Sequence, residues 1–373
     1  MEDEQSYDVS PIMDAFDIDL VVKVLNHTAF SPFFTSLIPV FYFFQGARWP
    51  DSILVWPTVY TIAISAFWFL KWYSLLFRNQ GSIWFGPGRF DWGEQIVVVT
   101  GGASGIGELI ANTLAVRNVT VAVLDINPIV TENYNIEYYK CDVSKWEEVE
   151  AAAKKIQEEL GHPTVLINNA GVVQGKTILD LSSEDIQQTF SVNTIGQFHT
   201  LKAFLPEMIK EKKGHIVTMS SVAGIIGMAR MTDYNASKAA LISLNDSLRY
   251  ELDHVYNTPS IRTTLVVPGH THTRLFSSVS LPQSWWYKFF VPSIDPVAIA
   301  KSVIAALDDQ HSRTIYLPFY ANFAPFLPLM PSFIRDFGQW VSLSGCDYAM
   351  QDFVKMSGRR PEEGQAPKSS EKN

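Results

Sequence analysis

Tyr234 and Lys238 stand four residues apart in the segment Tyr-Asn-Ala-Ser-Lys, a spacing that puts both side chains on one face of a helix. A cation beside a phenol stabilises the phenolate. Tyr234 is therefore expected to exchange a proton with a substrate oxygen near neutral pH, although an isolated phenol titrates at about 10. A second group of residues suits a dinucleotide. Thr100-Gly101-Gly102-Ala103-Ser104-Gly105-Ile106-Gly107 follows a β-branched run, and its glycines permit a tight turn, close approach of a pyrophosphate and close packing of the next helix. The N-terminus of that helix then faces the phosphates. Asp125 ends the next apolar run, eighteen residues beyond Gly107. A carboxylate there accepts hydrogen bonds from both ribose hydroxyls of NAD and repels the 2′-phosphate of NADP. No Arg or Lys occupies Ala103, Ser104, Ile126 or Asn127, so NAD is preferred over NADP. Taken singly, each feature has a plainer reading: a solvated Tyr/Lys pair, an ordinary strand-to-helix turn, an Asp closing a turn. Their order along one chain is what carries weight.

Such residues need a sheet and its flanking helices to position them. From Gln95 onward, short β-branched runs alternate with helical stretches, the pattern of a parallel sheet covered on both faces. Strands are expected at Ile96 to Thr100, Val119 to Asp125, Ile136 to Cys141, Val165 to Asn168, His215 to Ser220, Ile261 to Val267 and Thr314 to Leu317. The fold class is α/β, a doubly wound parallel sheet of about seven strands. Ser144 with Glu147, and Ser182 with Asp185, have the spacing of a helix cap and its third-position carboxylate. Asp295 followed by Pro296 marks another helix start.

Composition adds a membrane. The 373 residues are 47% hydrophobic and only 18% charged, with 24 Phe and 10 Trp, an excess of apolar aromatics for a soluble domain. Ser52 to Leu70 is an uncharged stretch, long enough as a helix to cross a hydrocarbon core of about 30 Å. Lys23 to Arg48 encloses another, interrupted by Pro32 and Pro39. Lys71, Arg78 and Arg89 follow the second stretch, and basic flanks stay cytosolic. The acidic start, Met1 to Asp19, does not resemble a cleaved secretory signal. A net charge of −9 gives no field to hold nucleic acid. Cys141 and Cys346, the only cysteines, make neither a disulfide framework nor a metal motif. His270 and His272 lack a third ligand nearby, so no metal is expected. Asn26-His27-Thr28 and Asn118-Val119-Thr120 match a glycosylation pattern, and neither is expected to be used. The expected organisation is an anchoring segment over 1–90 and a catalytic domain over 91–317 with a lid near 270–294. An apolar, membrane-interfacial segment over 318–357, broken by prolines, and a polar tail over 358–373 complete it.

Thr100 to Gly107, Asn168-Asn169-Ala170-Gly171, Asn193, Ser220-Ser221 and Tyr234 with Lys238 together resemble the short-chain dehydrogenase/reductase family. The resemblance covers about Gln95 to Leu317 and implies a Rossmann fold. It implies that Gly101, Ser104, Gly105, Ile106 and Gly107 hold the pyrophosphate, Asp125 the adenosine ribose, and Asp142 with Val143 the adenine. Asn169 would support the sheet beside the cofactor, and Pro268, Gly269 and Thr273 would cover the carboxamide. Tyr234 would be the acid or base, Lys238 would tune it and bind the nicotinamide ribose, and Asn193 would hold a water in the proton path. Ser221, thirteen residues before Tyr234, would bond the substrate oxygen in preference to Ser220.

With its anchor, the chain is similar to the membrane-bound retinol dehydrogenase and 17β-hydroxysteroid dehydrogenase branch. That implies NAD-dependent exchange of hydroxyl and carbonyl on a retinoid, steroid or other lipid alcohol, at the endoplasmic reticulum or a lipid droplet. The catalytic domain would be cytosolic, and a homodimer is compatible with it. Two other readings are an NADPH-dependent keto-lipid reductase, which Asp125 opposes, and a catalytically silent scaffold on a membrane or droplet, which an intact Ser221, Tyr234 and Lys238 oppose.

Overall fold

The computed structural model describes residues 16–80, 91–130, 133–276, 284–334 and 336. Expectations for the acidic start up to residue 15, for Arg89, for residues 277–283 of the lid and for the chain beyond residue 336 lie outside those residues. The catalytic part is built on β1 (Ile96–Thr100), β2 (Thr120–Asp125), β3 (Ile136–Lys140), β4 (Val165–Asn168), β5 (His215–Met219), β6 (Arg262–Pro268) and β7 (Arg313–Leu317). All pair in parallel, in the order β3-β2-β1-β4-β5-β6-β7. The chain reverses direction across the sheet between β1 and β4. In open sheets of this kind, ligands bind at that point, beyond the carboxyl ends of the strands.

Why the strands read as continuous apolar runs follows from the layers. Neighbouring strand residues point to opposite faces, and helices cover both. Val97 and Val99 of β1 pack with Ile110 and Leu114 of α4 (Gly105–Val116) and Val303 of α10 (Pro296–Asp309). Val98 faces the other way, into a layer with Ile156 of α5 (Trp146–Glu159), Phe204 of α7 (Gly196–Glu211) and Leu252 of α8 (Thr232–His254). A short α6 (Ser183–Phe190) runs into α7 through a π-turn at Ser191–Ile195.

Helix starts follow the side chains available. Ser182 and Asp185 form the expected reciprocal cap on α6. Asp295 accepts from the Val297 amide at 2.8 Å and starts α10. Ser144 does not cap α5. Its amide and hydroxyl both donate to Asp142 Oδ1, at 3.0 and 2.7 Å, and the helix begins two residues later with no side-chain cap. A charged acceptor two residues upstream captured the hydroxyl first.

Before the sheet come α1 (Ile18–His27), α2 (Pro32–Phe44) and α3 (Ser52–Arg78). Among the described residues, α3 is the one helix long and apolar enough to cross a membrane, with a mean hydropathy of 1.8 over its best window and none of that window buried. The two earlier stretches form an antiparallel pair. Thr61 donates to the Thr35 carbonyl at 2.9 Å, Tyr60 to Ala29 at 2.8 Å and Trp68 to Phe30 at 2.7 Å. Beyond α3, Asn79 docks on the domain: its amide group exchanges hydrogen bonds with the Ser312 backbone at 3.1 and 2.6 Å, and Arg262 donates to its carbonyl at 2.9 Å. After β7 the chain forms 3₁₀ turns over Phe319–Leu329, with Pro325 and Pro328 inside them, and no straight helix. A short α9 (Trp285–Phe290) lies in the expected lid region.

Candidate active site

Beyond the carboxyl ends of β1, β2, β4, β5 and β6 lies a cavity of about 390 Å³. Its floor is the turn from β1 to α4. Gly101 and Gly105 both have positive φ, +64° and +60°. A Cβ at Gly101 would lie 2.8 Å from Ala170 Cα, whereas one at Gly105 would meet nothing nearer than Thr273 at 4.0 Å. Gly105 thus presents bare backbone to the cavity, at the N-terminus of α4, where a helix favours an anion. Ser104 and Ile106 line the same wall. Gly107 sits behind the turn, where a Cβ would come within 2.3 Å of the Gly101 carbonyl oxygen. Its role here is close packing.

Asn169 clamps the switch point. Its Nδ2 donates to the carbonyls of Thr100 and Gly101 at 3.1 and 3.0 Å. Thr100 answers by accepting the amides of Asn169 and Ala170 on its hydroxyl at 3.0 and 3.1 Å. At the far end of the cavity, Asp125 accepts from the Ala103 amide at 3.0 Å and the Asn127 amide at 2.9 Å, one on each oxygen. Asp142 and Val143 line that end too, with Cys141 between strand and loop. Burial pushes the Cys141 thiol up to about 12, so it is no nucleophile. The cradle fits a dinucleotide, with open backbone at a helix N-terminus and a preset carboxylate at the end of the second strand.

At the opposite end stand Ser221, Tyr234 and Lys238. The Ser221 hydroxyl accepts the Ala223 amide at 3.1 Å and lies near enough to Tyr234 to favour its phenolate. Ser220, its neighbour, turns away and donates to the Lys238 carbonyl at 2.8 Å. Lys238 Nζ lies 5.6 Å from the centroid of the Tyr234 ring and donates to the Met219 carbonyl at 2.9 Å. Burial dominates both titrations. It raises Tyr234 to about 12, against the lowering hydrogen bond from Ser221, and drops Lys238 to about 8. The sequence expectation of a phenolate near neutral pH therefore does not hold for these protein groups alone, because desolvation outweighs the nearby cation. Gly224 lets the segment after β5 lie against α8, since a Cβ there would reach 2.7 Å from the Lys238 carbonyl carbon.

Asn193 is wholly buried in the π-turn, one layer behind the cavity wall. Its side chain accepts from the Val172 amide at 2.7 Å and donates to the Val172 carbonyl at 2.9 Å and to Ser237 at 3.0 Å. Pro268, Gly269 and Thr273 all line the cavity. Sequence reasoning missed Thr100 as an organiser, Gly171 beside Lys238, and Leu275 and Phe276 over the substrate end. Phe276 meets the Tyr234 ring edge-on at 6.1 Å. Thr100 and Gly171 stood inside the quoted motifs; Leu275 and Phe276 carried no signal beyond being apolar. His270 bonds Ser293 through Nδ1 at 2.9 Å and packs against His272.

This geometry agrees with comparisons to known proteins. The short chain dehydrogenase family model matches residues 95–283, and the chain belongs to that family of oxidoreductases. Members bind nicotinamide nucleotides. Among its relatives, Dehydrogenase RED2 of Cochliobolus heterostrophus is 42% identical over 212 residues, 56% of this chain and 78% of that one. Retinol dehydrogenase 10-B of Danio rerio is 35% identical over 245 residues, 58% and 72% of the two chains. The ligand-free aldohexose dehydrogenase of Thermoplasma acidophilum superposes with a TM-score of 0.53 at 27% identity, covering 61% of this chain and 93% of its own.

Proposed function

We propose that this enzyme is a membrane-bound, NAD-dependent dehydrogenase that interconverts a hydroxyl and a carbonyl on a lipophilic alcohol of the retinoid or steroid kind. The observation that carries the reading is the shared cavity. Asp125 closes one end, and Tyr234 with Ser221 stands at the other beneath Leu275 and Phe276. Retinol dehydrogenases among the relatives support the substrate class.

When bound, the nicotinamide ring accepts or returns the hydride. Gly101, Ser104, Gly105 and Ile106 would hold the pyrophosphate, Asp125 the ribose hydroxyls, and Asp142 and Val143 the adenine, while Pro268, Gly269 and Thr273 cover the carboxamide side. Ser221 holds the substrate oxygen. In alcohol oxidation the hydroxyl proton passes to Tyr234; in carbonyl reduction Tyr234 donates it. A phenol held near 12 enters the reductive direction already protonated, whereas oxidation needs the charge of Lys238 to stabilise the phenolate. Asn193, tied to Val172, keeps the π-turn in place beside Lys238 and is assigned the water of the proton path.

The anchor reading rests on α3 and on its pairing with α2. Asp19 and Asn79, on either side of that pair, both touch the catalytic domain, so an α2–α3 hairpin that enters the bilayer leaves it on the same face. The basic flank at Lys71 and Arg78 supports a cytosolic side for that face, and the membrane assigned to it is that of the endoplasmic reticulum or a lipid droplet. A screen of lipid alcohols and ketones with the purified enzyme, following NADH absorbance, tests the assignment. Turnover confined to small polar substrates, or NADPH as the better reductant, would overturn it.

A further inference from the structure

The first helix lies inside the expected anchoring segment, and it has two apolar sides. Val21, Val22 and Leu25 of α1 are half-buried, whereas Phe16, Leu20 and Val24 are 58%, 43% and 53% exposed. Leu20 and Val24, four residues apart, share one face of the helix, and Phe16 stands just before its cap at Asp17. The helix is tied to the catalytic domain at its start. Asp19 accepts from the Phe319 amide at 2.6 Å, and Phe16 packs on Phe289 of α9 with ring centroids 5.6 Å apart. It therefore lies between the lid helix and the 3₁₀ turns after β7. Both neighbours expose large apolar groups, including Trp285 at 76% and Phe326 at 55%. The 3₁₀ segment Phe319–Leu329 contains no charged residue. At its other end, α1 meets the spanning helix at Trp68, which donates to the Phe30 carbonyl. Lys71 stands over the Trp68 ring at 5.0 Å, an aromatic and a cation of the kind found at a membrane interface.

We infer that α1, α9 and the 3₁₀ turns over Phe319–Leu329 form one platform that rests in the surface of the bilayer holding α3, and that α1 is one wall of the entrance through which lipid substrate reaches Tyr234. The inference rests on the membrane reading proposed above. The occupant is a lipid surface because the patch is continuous, through α1, with α3, whose apolar window holds no buried residue among the described residues. A helix with apolar residues on both its inner and outer sides, and with Lys23, Asn26 and His27 between them, suits the boundary between headgroups and acyl chains. The path follows from contact. Phe16 packs on Phe289 of α9, Ile294 shortly after α9 bridges Thr271, and Thr271 lines the cavity with Phe276, which meets the Tyr234 ring.

The test uses the full-length enzyme in vesicles of dioleoylphosphatidylcholine, with Cys346→Ser and one new cysteine carrying a polarity-sensitive fluorophore. Labels at Val24→Cys and Phe326→Cys are expected to be quenched by lipids spin-labelled near the headgroup. A label at Ile62→Cys in α3 should be quenched by deeply labelled lipids, and one at Glu158→Cys on α5 by neither. If Val24 and Phe326 behave like Glu158 while Ile62 is quenched, the platform is refuted and the anchor stands. If Ile62 also behaves like Glu158, the membrane reading falls and the platform with it. The entrance has its own measurement. Leu20→Lys with Val24→Lys should raise the apparent KM for a long-chain alcohol dissolved in the vesicles by roughly ten-fold, the factor of about 1.4 kcal/mol. The KM for a short, water-soluble alcohol should stay the same. Equal shifts for both alcohols, or none for either, overturn the entrance.

Discussion

Replacing Asp125 with Asn should narrow the preference for NAD over NADP proposed above, and the structure sets the scale. The carboxylate is 9% exposed and fixed by two backbone amides, from Ala103 and Asn127, so it cannot swing away from an added phosphate. Two like unit charges about 4 Å apart repel by about 4 kcal/mol at an effective dielectric near 20. Half of that, about 2 kcal/mol, is roughly thirty-fold in relative affinity. Asn keeps the shape and removes the charge. It also turns an NH₂ toward one of the two amides, so one hydrogen bond is lost, and stability should fall by about 1 to 2 kcal/mol. Affinities for NADH and NADPH, measured by titration calorimetry on both proteins, should show a ratio favouring NADH in the wild type that narrows at least ten-fold, roughly, in the variant. Thermal unfolding checks that the variant remains folded. A folded Asp125→Asn protein with an unchanged ratio would refute the electrostatic basis of the preference, and a wild type that binds NADPH more tightly would refute the preference itself.

Tyr234→Phe should lower turnover by roughly a hundred- to ten-thousand-fold, the range of a single acid–base group, while NADH affinity stays unchanged; near-normal turnover would reject the assignment. In the wild type, kcat/KM for alcohol oxidation should rise from about pH 6 toward pH 8, because burial holds the Tyr234 proton and oxidation must remove it, and should stop rising above that, where Lys238 loses its charge. Carbonyl reduction should fall above about pH 8, where Lys238 loses its charge. His215 is wholly buried, bonded to Thr264 at 2.8 Å, and held near 3 by burial and by Arg262, Arg313 and Arg249. Its folded pKa lies below its unfolded value of about 6.5, so its stabilisation is complete above that pH. Below it, stability is lost by up to about 1.4 kcal/mol per pH unit. Denaturant titrations at pH 6.5 and 5 should show this slope shrink in His215→Gln; an equal slope would contradict it. Extraction with alkaline carbonate should leave the full-length protein in the membrane pellet, and its release would contradict an inserted α3.

Much of the fold was legible because the physics that decides it is local. The inner strands are apolar runs buried on both faces, and all seven strand ends were placed within one residue. The Ser182 and Asp185 cap was equally local. Ser144 failed as a cap because Asp142 competed for its hydroxyl, a choice that spacing alone does not reveal. In the site, the residue types and their order marked Ser221, Tyr234 and Lys238, but the balance of burial against charge depends on what surrounds them. That balance reversed the expected state of Tyr234. The first helix went unread for a related reason. Asp17 caps it by accepting from the Leu20 amide at 2.9 Å, a signal present in the sequence, but its docking partner Phe319 is 300 residues away.

On the membrane reading proposed above, two such distant contacts set how the cavity faces the bilayer. Asn79 binds Ser312, immediately before β7, and Asp19 binds Phe319, shortly after it. The N-terminal helices are thus fastened at both ends of one edge strand. A single tether would leave the sheet free to pivot about it, whereas two tethers along β7 fix the strand's direction relative to α1 and α3. Strand direction matters because a parallel sheet opens its ligand crevice only at the carboxyl ends. The tether at Asp19 lies at that end, and the one at Asn79 lies at the opposite end. The mouth over Tyr234 is therefore held beside α1 and α9, and the amino ends of the strands are held by the last turn of α3. An enzyme acting on a substrate dissolved in water gains nothing from such an arrangement; one acting on a substrate dissolved in lipid has its entrance kept at the surface where that substrate resides.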